Sequence, residues 1–324
     1  MTQENKRNPF DRLNFSGEIE PVIDRLALAY GIGKPRSFSP IGIGYEDCNV
    51  IVETGKGKYV AKMFEKERTS EDIANYGQMM EKVMEAGVTH PRILRSQDGE
   101  IIYSDSEAKG ISLILMEFIE GKTYFELGSP TDDDLSKIAE QAARINRIDY
   151  QPSRVVDSWS IPRIHEMFER VREFIQPEDL RFVRRAIELY DQIPIDNLPM
   201  AFVHGDFTKG NVLKSENGDI YVLDFSVAFW YPRIQELAVI SASLMHNLGD
   251  PRSLRERTEQ IASEYNRFNP LVSKEREYLY DYALADYVAK FMGVHQEKFI
   301  NGDDNAENRL WFDLGREGLR KELT

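Results

Sequence analysis

Apolar residues recur at helical spacing between Glu18 and Tyr30, at Ile19, Val22, Ile23, Leu26 and Leu28, and the run stops at Gly31, which predicts a short helix with a glycine terminus. Residues 1–16 are polar and read as a loose arm. After Gly31 the period changes to that of strands. Arg36–Ile43, Cys48–Glu53 and Tyr59–Phe64 alternate or run apolar, with a Gly-Lys-Gly turn at 55–57 between the last two. Thr69 or Ser70 can cap a helix from Glu71 to Glu85, which carries an apolar stripe at Tyr76, Met79, Met80 and Val83 and ends before Gly87. Two further strands are expected at Glu100–Ser104 and Ile111–Phe118.

Three strands, a helix and two strands describe a small antiparallel sheet with one helix against it. From Asp132 onward helical periodicity dominates, interrupted only over Ala201–Phe229. The change near Phe118–Gly121 sets the expected boundary, dividing the chain into 1–118 and 119–324. The architecture expected is α+β: a small sheet-bearing lobe followed by a larger, mainly helical one.

Composition narrows the class. Of 324 residues 41% are hydrophobic, enough to form a core in each part. Cys48 is the single cysteine, so neither an intrachain disulfide nor a cysteine-based zinc site is available, which fits a reducing, cytoplasmic setting. The first residues, MTQENKRNPFDR, lack an apolar core segment, and no stretch has the length of a membrane span. The net charge of −14 argues against nonspecific nucleic-acid binding, which needs a basic surface. That charge suits a cationic small molecule or simply a solvated acidic surface. It says nothing of oligomeric state.

The chemistry is concentrated in residues 202–226, FVHGDFTKGNVLKSENGDIYVLDFS. Val212–Lys214 and Ile220–Leu223 flank an Asn-Gly turn at 217–218, which predicts a hairpin. Asp206 and Asn211 precede its first strand and Asp224 follows its second, so three oxygen-bearing side chains converge at one end of a rigid element. Phosphoryl transfer needs such a set: a carboxylate to take the proton of the attacking hydroxyl, and oxygen ligands to hold magnesium against the phosphates. The spacing His-x-Asp-x4-Asn, then Asp-Phe, is that of kinase catalytic and metal loops.

On these residues the chain resembles the aminoglycoside phosphotransferase and choline kinase-like family, whose fold is the two-lobed protein-kinase-like one. The resemblance runs from about Ser39 to Ala238. It implies ATP and Mg2+ as cofactors, Asp206 as catalytic base, Asn211 and Asp224 as metal ligands, and His204 as a support of the loop. In the turn Pro40–Val50, Gly42 and Gly44 are then expected over the phosphates. Lys62, inside the apolar run Tyr59–Phe64, is expected on the α- and β-phosphates. A buried lysine needs a counter-charge. The family's helix glutamate falls at Tyr76 here, so Glu71 is the expected partner, with Glu81 and Glu85 as alternatives. Leu113–Gly121 resembles the family's hinge, with backbone groups from Glu117 to Ile119 expected at the adenine edge.

Ser226 stands where protein kinases have glycine, and no Ala-Pro-Glu follows; Glu236-Leu237-Ala238 stands where many small-molecule members have Asp-Leu-Ala. Tyr59–Lys66 with Glu71 and Tyr76 is most similar to the homoserine kinase-like subgroup, although Gly205 replaces the alanine frequent there. The implied activity is transfer of the γ-phosphate of ATP to a hydroxyl of a small molecule: homoserine, choline, a sugar or an aminoglycoside. A catalytically weak nucleotide-binding module and an atypical protein kinase are the alternatives. Asp286, Tyr287 and His295, together with Trp230 and Tyr231, are candidate acceptor contacts or ordinary core and surface positions.

Overall fold

The computed structural model describes residues 9–42, 47–108, 110–152 and 159–324. These residues divide into two compact units. One holds the described residues up to Glu81 with His90–Glu120; the other holds Lys82–Thr89 with Gly121–Thr324.

The first unit is built on an antiparallel sheet. Helix α1 (Glu20–Ala29) is followed by β1 (Pro35–Pro40), β2 (Cys48–Thr54) and β3 (Gly57–Met63), then helix α2 (Ser70–Glu85) and strands β4 (Ile93–Leu94), β5 (Ile102–Ser104) and β6 (Ser112–Glu117). The strand order is β1-β2-β3-β6-β4, with β5 pairing β6. Along β2, Cys48, Val50, Val52 and Thr54 are buried and the residues between them half-buried, the period-2 alternation of a one-faced strand. That buried face meets Val22, Ile23 and Leu26 of α1 and Leu113 and Leu115 of β6. Thr69 and Asp72 cap α2 reciprocally, each side chain bonding the other's backbone N–H.

Two expectations change here. The supposed loose arm is partly ordered: Pro9–Arg12 form a 3-10 turn, and Leu13 is buried in this core beside Phe10 and Phe15. Its polar average conceals three large apolar side chains. The strand β4 has two residues, too few for a period to register.

The second unit begins with β7 (Gly121–Thr123), a turn of helix α3 (Tyr124–Leu127) and α4 (Asp132–Ile145), capped by Thr131 with Asp134. Helices α5 (Ile164–Val171) and α6 (Pro177–Tyr190) lead to β8 (Met200–Val203), the hairpin β9 (Val212–Ser215) and β10 (Ile220–Val222), and β11 (Phe229–Pro232). Helices α7 (Ile234–Val239), α8 (Leu254–Asn266), α9 (Ser273–Gln296) and α10 (Ala306–Leu323) complete it. The hairpin turns at Asn217-Gly218 with Gly218 at φ +84°, as expected, and β7 adds a third strand against β9. The last strand pairs back antiparallel onto β8, register Phe229↔Val203, so the chain leaving β8 lies beside the residues that lead into β11. Helix α9 is buried along most of its length.

A polar chain crosses this helical core. Buried Arg257 Nη2 donates to Tyr287 Oη at 2.5 Å, and the same hydroxyl is hydrogen-bonded with His246 Nδ1 at 2.9 Å. Tyr287 therefore has a structural role in the core. A phenol oxygen has more than one lone pair, so it can take the Arg257 hydrogen and still either donate to or accept from the imidazole of His246. Burial, then the Arg257 charge, pushes its pKa down to about 3 from 6.5. Its folded pKa lies below its unfolded one, so its contribution is complete above the unfolded value and is lost as pH falls. Between about pH 7 and pH 5 this group alone should cost about 2 kcal/mol of stability. Urea midpoints at both pH values should show a larger loss for the wild type than for His246→Gln; equal losses would contradict the assignment.

Candidate active site

In the second unit the strand β8 ends at Val203 and the chain enters the loop His204–Asn211. Gly205 sits at φ +82°, and a Cβ there would meet Val227 O at 3.3 Å, so this backbone geometry requires glycine. The alanine common in the resembled subgroup would strain this turn. The fully buried His204 ring spans the loop: Nδ1 accepts from Asp206 N at 3.2 Å, and Nε2 donates to Leu223 O at 2.8 Å. A backbone N–H can only donate and a carbonyl can only accept, so the tautomer is set. Burial lowers the His204 pKa and keeps the ring neutral.

Glu236, on α7, holds the loop from below. Its buried carboxyl accepts from His204 N at 3.1 Å and from Gly205 N at 3.3 Å. Burial pushes its pKa up to about 8, opposed by these two donors. In the sequence this residue is visible only as the first member of Glu-Leu-Ala; its function as the loop's anchor is a finding of the structure.

Asp206, Asn211 and Asp224 are brought together as the spacing predicts. Asn211 Nδ2 donates to Asp206 Oδ2 at 2.7 Å and to Asp206 O at 3.1 Å. The amide nitrogen thus faces Asp206, and the amide oxygen is directed away from it. Leu223 N donates to Asn211 O at 2.8 Å, which ties the loop carrying Asn211 to the strand end carrying Asp224. Asp224 has φ +55°, the left-handed region that aspartate tolerates when its side chain bonds locally. Here Oδ1 accepts from Ser226 N at 3.1 Å and from Ser226 Oγ at 2.5 Å. Serine in place of the protein-kinase glycine thereby fixes the Asp224 carboxylate.

An amide oxygen and a carboxylate on adjacent backbone segments fit magnesium, which takes one or two protein oxygens and completes its shell with phosphate and water. No group of three His, Cys, Asp or Glu side chains suited to a metal occurs among the described residues.

Sequence reasoning missed Lys290. This α9 residue, with its side chain 12% exposed, places Nζ 3.2 Å from Asp206 Oδ1. Its ammonium also lies 5.4 Å from the Trp311 ring and 5.8 Å from the Trp159 ring. Among the candidate acceptor contacts, Asp286 accepts from Ser243 Oγ at 2.5 Å one helical turn from Lys290. His295 bonds Phe291 O within its own helix, and Tyr231 Oη meets Ser160 Oγ at 3.3 Å. Trp230 is half-buried on β11.

In the first unit, the counter-charge of Lys62 is corrected. Lys62 Nζ pairs with Asp47 Oδ2 at 2.8 Å, both side chains essentially buried, whereas the expected partner Glu71 is exposed in the first turn of α2. The register explains it. Asn49 lies opposite Lys62, and Asp47 is two residues earlier, where its carboxylate reaches the ammonium from the preceding loop. Asp47 also binds Arg68 Nε at 2.9 Å and Glu65 N at 3.1 Å. Tyr76, at the position of the resembled family's helix glutamate, puts its ring 5.9 Å from Lys62 Nζ. Glu81 pairs with Arg95 and Glu85 with Lys82.

Of the remaining nucleotide-facing expectations, Gly42 is exposed and Gly44 lies outside the described residues. Glu117 N donates to Arg92 O at 2.9 Å and Phe118 N to Lys58 O at 3.2 Å. Each backbone nitrogen carries one hydrogen, so Glu117 could meet a base only through its carbonyl, and a donor from this stretch falls to Ile119.

Comparison with known proteins bears on this geometry. Residues 37–271 match the model of the phosphotransferase enzyme family. A homoserine kinase of Methylobacillus glycogenes is 24% identical over 251 residues, 76% of this chain and 75% of that one. Among solved structures, an amicoumacin kinase in complex with AMP-PNP, Ca2+ and Ami superposes with TM-score 0.70 at 16% identity, covering 95% of this chain and 94% of that one. A microcompartment-associated aminopropanol kinase gives TM-score 0.69 at 14% identity, covering 92% and 94%. The fold is therefore kinase-like, and no helix among the described residues is long and apolar enough to cross a membrane.

Proposed function

The chain belongs to the phosphotransferase enzyme family, and on that premise we propose that it transfers the γ-phosphate of ATP to the hydroxyl of a small amino alcohol, with L-homoserine the first acceptor to test. The observation that carries this reading is the Asp206–Asn211–Asp224 arrangement: a carboxylate oriented by an amide, beside a second carboxylate in a backbone conformation of its own.

In this reading Asp206 accepts the proton of the acceptor hydroxyl as the hydroxyl oxygen attacks the γ-phosphorus. Asn211 holds Asp206 through its amide nitrogen and offers its amide oxygen, with Asp224, to Mg2+. That ion, when bound, would offset charge on the phosphates. His204 and Glu236 keep the loop in register without touching substrate. Lys62 is assigned to the α- and β-phosphates, its charge balanced at rest by Asp47. Gly42 and Gly44 are assigned to close backbone approach to the phosphates, and Glu117 and Ile119 to the adenine edge.

The test is magnesium-dependent ADP release from ATP across homoserine, choline, ethanolamine, methylthioribose and several aminoglycosides. Stimulation by one acceptor, homoserine first, is expected. ATP binding with no stimulation by any of them would count against the reading.

A further inference from the structure

Lys209 sits inside the loop that carries Asp206 and Asn211, yet its side chain bonds neither of them. It is 2% exposed, and its ammonium donates to Gly128 O at 3.1 Å and to Leu244 O at 2.8 Å. A buried lysine is ordinarily paired with a carboxylate. Among the described residues no carboxylate is bonded to this one, and two main-chain oxygens take that place.

Both oxygens stand at helix ends. Gly128 ends α3 with φ +85°. Leu244 is the last residue of a π-helical turn, Ile240–Leu244, that continues α7, so its carbonyl has no donor within the helix. An ammonium there also meets the negative end of the helix dipole. The segments that bear these carbonyls are tied to each other: Ser129 Oγ donates to Met245 O at 2.9 Å, and Asn247 Nδ2 donates to Ser129 Oγ at 2.7 Å. Helix α3 grips the loop's backbone as well. Phe125 N donates to Lys209 O at 3.3 Å, and a Cβ on Gly210 would come within 2.9 Å of the Phe125 ring.

Within the loop the bonds are short-range. Asp206 O accepts from Thr208 N at 2.8 Å and from Asn211 Nδ2 at 3.1 Å, and Asn211 N donates to Thr208 O at 3.1 Å. A displacement of Lys209 therefore moves the Asn211 amide against the Asp206 carboxylate that it holds at 2.7 Å. We propose that Lys209 is a positioning residue: its ammonium staples the catalytic loop to residues 124–129 and 244–247, and so sets the alignment of Asp206 with Asn211. In this role it touches neither acceptor nor nucleotide. The proposal rests on the kinase reading for what that alignment serves.

The experiment compares wild type, Lys209→Met, Lys209→Arg and Ser129→Ala by amide hydrogen exchange and by steady-state ADP release, after thermal melts. Methionine keeps the aliphatic stem and loses the donors; arginine keeps donors and charge. In Lys209→Met the amides of residues 204–212 should exchange about 10-fold faster or more, while those of α8 keep the wild-type rate. Its kcat should fall about 10- to 100-fold, the scale of a misaligned catalytic group, with KM for ATP within about twofold. Lys209→Arg should recover most of both losses. Ser129→Ala breaks a bond between the same two segments without touching the loop, and should match wild type in loop exchange and kcat. Wild-type loop exchange in Lys209→Met, or equal acceleration in the loop and α8, would overturn the proposal. Should Lys209→Met fail to fold, Lys209→Gln, with one shorter amide donor, is read in its place; loop exchange and kcat at wild-type level there would overturn it equally. Absence of ADP release by the wild type with every acceptor would sink the kinase reading alone, since exchange still reports whether Lys209 holds the loop.

Discussion

Asp206→Asn should lower acceptor-dependent turnover by about 10²- to 10⁴-fold while leaving ATP binding within about twofold of wild type, the scale expected for removal of a general base. The side chain is 34% exposed and makes no packing contribution that asparagine cannot reproduce. What asparagine loses is the charge and the proton-accepting oxygen. One of its two terminal atoms becomes a donor facing either Asn211 Nδ2 or Lys290 Nζ, which repels the amide or frees the ammonium. Melting should therefore change little, and the damage should fall on kcat. Unchanged turnover would remove Asp206 from the chemistry and leave the hairpin as a structural element.

The second large effect concerns stability. Asp47→Ala should destabilise the protein by about 3 kcal/mol or more, because it leaves the buried charges of Lys62 and Arg68 without the carboxylate they share. Glu71→Ala should stay within about 0.5 kcal/mol, as for an exposed position in a helix's first turn. Urea unfolding of both variants decides between them. Similar, small losses would show that Asp47 is dispensable as the counter-charge, and a larger loss for Glu71→Ala would restore the helix glutamate to that role. The pair also explains Tyr76. With the negative charge supplied from the loop before β2, the helix position needs no carboxylate, and an aromatic ring under the ammonium packs where a glutamate would otherwise stand.

Legibility in the sequence followed the range of the interaction. The hairpin at 217–218, the capped helix α2 and the convergence of Asp206, Asn211 and Asp224 are products of local spacing, and each was readable from residues within one segment. The Lys62–Asp47 pair depends on a cross-strand register, in which a residue before β2 reaches one on β3. Periodicity identifies strands but not which loop carboxylate lies over which lysine. Lys290 was further out of reach, because 84 residues separate it from Asp206 and its surroundings on α9 read as an ordinary buried helix. Its neighbours Trp159 and Trp311 offered a faint signal: three tryptophans in the chain, two of which turn toward one lysine. Strands β4 and β7 were missed since two- and three-residue pairings are made by their partners, β6 and β9, and not by a pattern of their own.

The most direct test of the account is mass-spectrometric analysis of the acceptor after incubation with Mg2+, ATP and L-homoserine, comparing wild type with Asp206→Asn. The account predicts a phosphorylated acceptor formed in step with ADP by the wild type and not by the variant. ADP formed without any phosphorylated acceptor, or equal product from both proteins, would contradict it.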